Sequence, residues 1–188
     1  MKRLKAAFGT LLSLAAVVAF LVVFSVLVRL GDRAMGAPAT LPAVTAVFLG
    51  AAAAAIGIFW VTWAYGYLIF VGRGSPAELF GVALLPTRQL VTCGPFAYTR
   101  NPMVFGVLWM ALGVAFYRRS LTGLVLVPIL GVLSIAYIKL FEEPGLERRF
   151  GAPYHRYREQ VPALFPRFRA IVTGEPEEAC QTAPEVES

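Results

Sequence analysis

Four long stretches of the chain carry no charged residue, and each has the composition of a helix in a membrane. They contain 21, 31, 16 and 19 residues. A helix that crosses the hydrocarbon core of a bilayer needs about 20 apolar residues, and lipid offers no partners for the backbone of an open strand. The pattern therefore predicts an all-α, polytopic membrane protein with about four transmembrane helices, over residues 8–28, 42–71, 102–117 and 120–139.

The four stretches differ in how well their lengths match a single crossing of the bilayer. The first exceeds the apolar core of about 7–15 residues that a signal peptide has, so we expect a retained helix. The second is longer than one perpendicular pass requires, and it should tilt, bend near Gly50 or Gly57, or project beyond the bilayer. Only two arginines separate the third stretch from the fourth, which predicts a tight helical hairpin. Gly106 and Gly113 would let the third helix approach a neighbour or a ligand closely.

Composition agrees with this class and indicates an orientation. Hydrophobic residues make up 58% of the chain and charged residues 15%, against about 45–50% and about 25% in a soluble domain. The net charge is +6, but the basic residues lie between apolar runs rather than in stripes that would bind nucleic acid. Of these residues, 13 fall on one predicted side and 4 on the other. Because basic residues collect in cytoplasmic loops, we expect both termini in the cytoplasm and the protein in the plasma (inner) membrane of a prokaryote.

The remaining segments complete the domain organisation. We expect residues 1–173 to form one membrane-embedded domain with a cytoplasmic cofactor pocket, because the two long polar segments share that side. Residues 174–188 hold five glutamates and no basic residue, which is typical of an acidic disordered tail; a docking tail is the alternative. Cys93 and Cys180 lie 87 residues apart and His155 is the only histidine, so the sequence predicts no metal site.

The first candidate for chemistry is a helix start at Asn101 and Pro102. Asn is favoured at the N-cap and Pro at the first helical position. The exposed backbone N–H groups of such a start suit a carboxylate or a phosphate, and Arg100 adds a positive charge beside them. An ordinary capped helix, with an arginine that reaches lipid headgroups, is the alternative. The spacing of these residues along the chain does not distinguish an anion-binding helix start from an ordinary capped helix.

The second candidate is the acidic pair Glu142 and Glu143, directly after the fourth apolar stretch. Carboxylates at the C-terminus of a helix oppose its dipole, and two adjacent ones repel each other. Such an arrangement favours a cationic ligand, such as an ammonium or a sulfonium. The alternative is a solvated pair, or one bonded to Lys139 or Arg148.

Aromatic residues mark two further regions. Phe150, Tyr154 and Tyr157 recur at near-helical spacing among arginines, which is typical of an amphipathic element at a membrane surface. His155 lies among them, although a lone surface histidine is more often a bystander than a base. The tryptophans and tyrosines of residues 60–67 indicate an interfacial aromatic belt, with a cleft for a lipid substrate as the alternative.

Three motifs occur in a fixed order around the predicted hairpin. The hairpin is preceded by Gly94-Pro-Phe-Ala-Tyr-Thr-Arg-Asn-Pro-Met-Val-Phe-Gly106 and followed by Glu142-Glu-Pro-Gly-Leu-Glu-Arg-Arg-Phe-Gly-Ala-Pro-Tyr-His-Arg-Tyr157 and then by Val161-Pro162. Over about residues 72–168, this order resembles the membrane methyltransferase superfamily, which includes isoprenylcysteine carboxyl methyltransferases and phospholipid methyltransferases. Asn101 stands where the eukaryotic carboxyl methyltransferases have His, and Val104 replaces the Tyr that is usual in the family.

The resemblance implies S-adenosyl-L-methionine as the cofactor and methyl transfer to a lipophilic acceptor in the bilayer. It places the donor's carboxylate at the start of the third helix and its ammonium at the acidic pair. The implied cofactor-binding residues are Gln89, Leu90, Val91, Tyr98, Arg100, Asn101, Pro102, Met103, Val104, Glu142 and Glu143. Arg100 and Glu143 are also expected to be catalytic, and Lys139 lies where it could meet an acidic group of the substrate.

Several acceptors fit this interpretation. The chain looks most like a protein-S-isoprenylcysteine O-methyltransferase, with a phospholipid amine or a small thiol as alternative acceptors. A carboxylate or thiolate needs no base, whereas an amine must lose a proton, and Glu143 or His155 is then the candidate base. A non-catalytic membrane scaffold is the alternative from another class. A transporter is disfavoured because the apolar spans carry no ionisable residue.

Overall fold

The computed structural model describes residues 2–71, 78–79, 82–83 and 90–167. Gln89 and the acidic tail, both singled out in the sequence, lie outside the described residues. The described elements are α1 (Lys2–Met35), α2 (Ala43–Phe70), β1 (Glu78–Leu79), β2 (Val82–Ala83), a 3₁₀ helix (Gly94–Ala97), α3 (Pro102–Tyr117), α4 (Leu121–Tyr137), a π-helical turn (Ile138–Glu142), α5 (Glu143–Phe150) and α6 (Ala152–Gln160). The strands form one short antiparallel pair, with Glu78 opposite Ala83 and Leu79 opposite Val82.

Three helical segments are long and apolar enough to cross a membrane. They are Leu11–Met35 of α1, the whole of α2, and Leu121–Phe150, which joins α4, the π-helical turn and α5; α3 is a shorter apolar helix. Large apolar side chains cover their outer faces, and Phe48 and Val132 are 71% and 67% exposed. A continuous apolar surface of this kind suits lipid rather than water. The prediction of an all-α, polytopic membrane protein is confirmed.

α1 is longer than the predicted helix over 8–28, because its charged last turns are used in packing. Asp32, in the last two turns, accepts hydrogen bonds from the backbone N–H of Thr122 at 3.1 Å and from the Thr122 hydroxyl at 2.7 Å. The Ser120 hydroxyl accepts a hydrogen bond from the N–H of Gly123. These two acceptors satisfy N–H groups that the start of α4 would otherwise leave without partners. The charged end of α1 is thus held against the hairpin between α3 and α4.

Glycines bring α2 and α3 into close backbone contact. Gly50 faces Gly113, and Gly57 faces Gly106. A Cβ atom on Gly57 would lie 2.5 Å from the carbonyl oxygen of Gly106, which leaves no room for any side chain. α2 runs without interruption through Gly50 and Gly57, so both glycines serve packing rather than a break in the helix.

The fourth helix does not end near residue 139, as the sequence suggested. It continues through the π-helical turn into α5, so Glu142 and Glu143 lie inside a long helical segment and not at its C-terminus. Pro144 explains the wider turn, because it lacks an N–H group and its ring clashes with the carbonyl four residues earlier. The opposition to a helix dipole inferred from the sequence is therefore wrong.

Residues 161–167, which we call the return segment, fold back onto the residues just before α3. The N–H of Arg100 donates to the Pro162 carbonyl at 2.9 Å, and the Thr99 hydroxyl donates to the Leu164 carbonyl at 2.9 Å. The N–H of Arg167 donates to the Tyr98 carbonyl at 3.1 Å. Thr99 and Leu164 are fully buried. The return segment thereby fixes the entry into α3.

Candidate functional site

A cavity of about 250 Å³ lies where the end of α2, the start of α3 and the corner between α5 and α6 meet. Apolar and aromatic side chains form most of its wall, and Arg100, Asn101 and Glu142 add polar groups. The lining residues are Leu68, Leu90, Val91, Phe96, Arg100, Asn101, Pro102, Met103, Val104, Ile138, Glu142, Leu146, Phe150, Tyr154 and Tyr157. The cavity thus joins the two longest sequence motifs, which are separated along the chain by the helical hairpin.

The structure brings together most of the residues predicted to bind the cofactor. Those that line the cavity are Leu90, Val91, Arg100, Asn101, Pro102, Met103, Val104 and Glu142. Glu143 is buried and contacts Arg100 at the cavity wall. Tyr98 lines a separate groove, and Lys139 and His155 are exposed and line neither space. The roles of all these residues remain predictions.

Arg100 and Glu143 form a buried ion pair. Nη1 of Arg100 lies 2.9 Å from Oε1 of Glu143, and the two side chains are 8% and 7% exposed. The contact is close but not aligned as a hydrogen bond, and Nε of Arg100 is buried without a hydrogen-bond partner. The other carboxylate oxygen of Glu143 lies 3.6 Å from Arg158, which also contacts Glu147. The pair therefore retains hydrogen-bonding capacity beside the cavity.

Residues of the first turn of α3 line the same cavity. The N–H groups in the first turn of a helix have no intrahelical acceptor, and Met103 and Val104, which belong to that turn, line the cavity. Asn101 is the N-cap residue, but its side chain makes no capping hydrogen bond. Its amide instead donates to the Ala163 carbonyl at 2.9 Å. The helix start is therefore held by the return segment, and its first turn keeps donors for an anion.

Glu142 is the acidic residue among those that line the cavity. It ends the π-helical turn and lines the cavity, whereas its neighbour Glu143 is turned toward Arg100. Single π-turns inside helices frequently occur at functional sites. The two acidic residues, which the sequence analysis treated as one pair, therefore differ in position: Glu142 lines the cavity, and Glu143 is buried against Arg100.

Tyr154 and Tyr157 form an aromatic wall that the sequence placed at the membrane surface instead. They are 2% and 8% exposed. The Tyr157 hydroxyl donates to the Phe96 carbonyl at 2.8 Å, and Nη1 of Arg100 lies 3.4 Å from the Tyr154 hydroxyl. Burial raises the pKa of Tyr154 to about 12 against the opposing effect of Arg100, and burial raises the pKa of Tyr157 as well. In the sequence, the near-helical spacing of these aromatic residues indicated an element at the membrane surface. Their burial shows that they instead form part of the cavity wall.

The raised tyrosine pKa values predict a loss of stability in alkali. Above the ordinary pKa of 10, the unfolded chain loses the protons that the folded chain keeps. The free energy of unfolding should then fall as the pH rises, by at most about 1.4 kcal/mol per pH unit for each tyrosine, and the effect is absent below that pKa. Thermal unfolding of the wild type and Tyr154→Phe from about pH 8 to about pH 11 measures this difference. Equal slopes in the two proteins would contradict it.

A second space, which we call the apolar groove, has a volume of about 990 Å³ and runs between α2, α3 and α4. Its aromatic wall contains Trp60, Trp63, Tyr98 and Phe105. The ring centroids of Trp60 and Phe105 lie 5.2 Å apart, and those of Trp63 and Tyr98 lie 5.9 Å apart. The tryptophans of α2 thus line a cleft as well as pack on α3. The return segment closes one end of the groove with Phe165, Pro166 and Arg167.

The comparisons with known proteins identify one family. A family model described as phospholipid methyltransferase matches residues 45–153, which is more than half of the chain. No curated protein and no solved structure matches the chain. The matched range contains α3, α4, all but the first two residues of α2 and the acidic residues of the cavity, whereas Tyr154, Tyr157 and the return segment follow it. Within the described residues, no group of three or more His, Cys, Asp and Glu side chains could hold a metal ion.

Proposed function

Because the chain belongs to the phospholipid methyltransferase family, we propose that it transfers a methyl group from S-adenosylmethionine to a lipid acceptor in the membrane. The observation that carries this proposal is the cavity at the start of α3. It combines donors for an anion, a carboxylate for a cation and an aromatic wall within one cavity. The amino-acid end of the donor has the matching pair of charges.

Each part of the donor would contact a different set of residues in the cavity. The first turn of α3, with Met103 and Val104, would hold the donor's carboxylate, as helix N-termini hold anions. Glu142 would hold its ammonium through a charge-assisted hydrogen bond. Leu90 and Val91 would contact the nucleoside. When bound, the donor supplies a methyl group on a sulfonium, which becomes a neutral thioether as the acceptor atom takes the methyl group.

The buried ion pair of Arg100 and Glu143 would help to position the charged groups of the donor. Arg100 lines the cavity and carries the positive charge nearest the start of α3, so it would contribute to holding the carboxylate. Glu143 lies behind Arg100 and limits the directions in which the guanidinium can turn. The cavity is largely apolar, and exclusion of water from it would strengthen the contacts with the donor's charges.

The acceptor would be a lipophilic molecule that reaches the site from the bilayer. The sequence motifs look most like those of the isoprenylcysteine carboxyl methyltransferases, and the matching family model is that of the phospholipid methyltransferases. A carboxylate acceptor would need no base, whereas a phospholipid amine would lose one proton on methylation. We also propose that the cavity faces the cytoplasm of a prokaryote, since 13 of the 17 basic residues lie on that side of the predicted topology.

The test is calorimetric binding of S-adenosylmethionine to the detergent-purified protein. We expect the wild type to bind and Glu142→Gln to bind at least about tenfold more weakly, because a charged hydrogen bond contributes about 1.5–3 kcal/mol. Glu159→Gln is the matched control, since Glu159 is exposed on α6 and does not line the cavity. A folded wild type that does not bind the donor would overturn the proposal and favour a non-catalytic scaffold.

Transfer itself is measured with donor labelled in the methyl group. Vesicles that contain phosphatidylethanolamine test the amine acceptor. A prenylated cysteine with a free carboxyl group, in vesicles without phosphatidylethanolamine, tests the carboxylate acceptor. Label in the lipid fraction of either sample supports the proposed reaction. Donor binding without transfer to either acceptor would contradict the lipid acceptor and leave the donor site in place.

A further inference from the structure

We propose that Arg158 is a positioning residue for the methyl donor, which acts through the buried carboxylate of Glu143 and does not contact the donor itself. This inference rests on the proposed function, because it requires that Arg100 holds the donor's carboxylate. It extends that function to a residue that none of the three sequence motifs contains and that does not line the cavity.

The carboxylate of Glu143 lies between two guanidinium groups. Its Oε1 lies 2.9 Å from Nη1 of Arg100, and its Oε2 lies 3.6 Å from Nη1 of Arg158. The side chain of Glu143 is 7% exposed, so little water reaches it. A carboxylate removed from water needs a cation or hydrogen-bond donors nearby. Glu143 thus has one cation that lines the cavity and a second one that does not.

The buried tyrosines of α6 determine the position of Arg158. The hydroxyl of Tyr157 is hydrogen-bonded to the backbone of the 3₁₀ helix, and Arg158 directly follows Tyr157. Tyr154 lies one turn earlier, and its hydroxyl is 3.4 Å from Nη1 of Arg100. Residues four apart share one face of a helix. The face of α6 that carries Tyr154 and Arg158 is therefore the face that packs on the ion pair.

Binding of the donor would change the number of carboxylates around Arg100. In the structure, the guanidinium of Arg100 is paired with Glu143. Its Nε has no hydrogen-bond partner within the described part of the chain, so it keeps a donor for a second carboxylate. With the methyl donor in place, two negative charges would share this one cation, and like charges repel each other strongly where water is scarce. A second cation beside Glu143 offsets that repulsion, and Arg158 is in place to do so.

Each charge in the loaded site would then have a partner of opposite sign. The donor's carboxylate would lie at Arg100, its ammonium at Glu142, and the carboxylate of Glu143 at Arg158. Glu147 also contacts Arg158, but its side chain is 28% exposed against 7% for Glu143. Water can therefore solvate Glu147 when Arg158 moves closer to Glu143, and the 3.6 Å separation leaves room for that movement.

The experiment measures calorimetric binding of S-adenosylmethionine to Arg158→Gln and Arg158→Lys beside the wild type. We expect Arg158→Gln to bind the donor about tenfold more weakly, because a charge-assisted contact is lost. Arg158→Lys keeps the charge and should recover most of the affinity. Arg156→Gln is the matched control, because Arg156 is an exposed arginine of the same helix and does not line the cavity. An Arg158→Gln protein that binds the donor as tightly as the wild type would overturn the proposal.

A second comparison separates positioning from a structural contact between α5 and α6. The contact of Arg158 with Glu147 joins these two helices. Glu147→Gln removes that contact and leaves Glu143 in place, so we expect this variant to bind the donor at least as tightly as the wild type. If Glu147→Gln weakened donor binding as much as Arg158→Gln, with the same loss of melting temperature, the role of Arg158 would be structural only.

A double-mutant cycle tests whether Arg158 acts through Glu143. Once residue 143 carries no charge, the cation beside it has nothing to offset. Addition of Arg158→Gln to Glu143→Gln should therefore weaken donor binding no further. A similar loss of affinity with and without the charge of Glu143 would overturn the proposed route. Thermal unfolding of each sample shows which variants are folded, and if Glu143→Gln is not, Arg158→Lys and Glu147→Gln decide the question.

These outcomes are distinguishable from failure of the proposed function. A folded wild type that does not bind the donor would overturn the proposed function, and this inference with it. Donor binding by the wild type that Arg158→Gln leaves unchanged would overturn this inference alone.

Discussion

Replacement of Glu143 by glutamine is expected to destabilise the protein by about 3 kcal/mol, because it leaves the buried charge of Arg100 without its main partner. Both side chains are less than a tenth exposed, and their charged atoms are 2.9 Å apart. Arg100→Met is expected to have a similar effect, since it leaves the carboxylate of Glu143 with only the more distant Arg158. In both variants we expect donor binding to weaken, because Arg100 lines the cavity.

The double variant Arg100→Met, Glu143→Leu separates stability from binding. Removal of both charges leaves neither one buried alone, so most of the stability should return. Donor binding should not return, since the proposed contact from Arg100 is absent. Thermal unfolding and calorimetry on the same detergent-purified samples measure the two quantities, with Glu159→Gln as the control. A double variant no more stable than the single variants would show that the pair is not energetically coupled.

The change Gly57→Ala is expected to destabilise the protein by about 2–3 kcal/mol, because the new methyl group forces two helices apart. Its Cβ atom would lie 2.5 Å from the Gly106 carbonyl oxygen and 2.5 Å from Cγ of Met110. Since α2 carries Trp60 and Trp63 and α3 carries Phe105, separation of the helices also deforms the apolar groove. We therefore expect the melting temperature to fall, which thermal unfolding of the detergent-purified protein measures.

Gly66→Ala is the matched control for this change. It lies on the same helix, and no atom lies within 4 Å of the position that a Cβ would take. Alanine is favoured over glycine inside a helix, so this variant should be at least as stable as the wild type. If Gly57→Ala melted at the same temperature as Gly66→Ala, the close contact between α2 and α3 would not limit stability.

Local patterns in the sequence were enough to predict α2, α3 and most of the residues that line the cavity. Uninterrupted apolar runs gave α2 and α3 to within about a residue, because a backbone in lipid must satisfy its hydrogen bonds within the helix. The start of α3 followed from Asn101 and Pro102, since proline fits the first turn of a helix and not its interior. Such signals are local and can be found without knowledge of what packs nearby.

Which of these residues meet depends on the packing of segments that are distant along the chain. The partner of Glu143 is Arg100, which lies across the hairpin, and neither Lys139 nor Arg148, which are nearer in sequence. The side chain of Asn101 bonds to Ala163 and does not cap its own helix. Pro144 widens a turn instead of ending the helix, and Glu142 lines the cavity whereas Glu143 is buried against Arg100. The apolar groove exists only between packed helices, so no local pattern marks it. Burial and pairing depend on contacts between distant segments, and the spacing of residues along the chain does not carry that information.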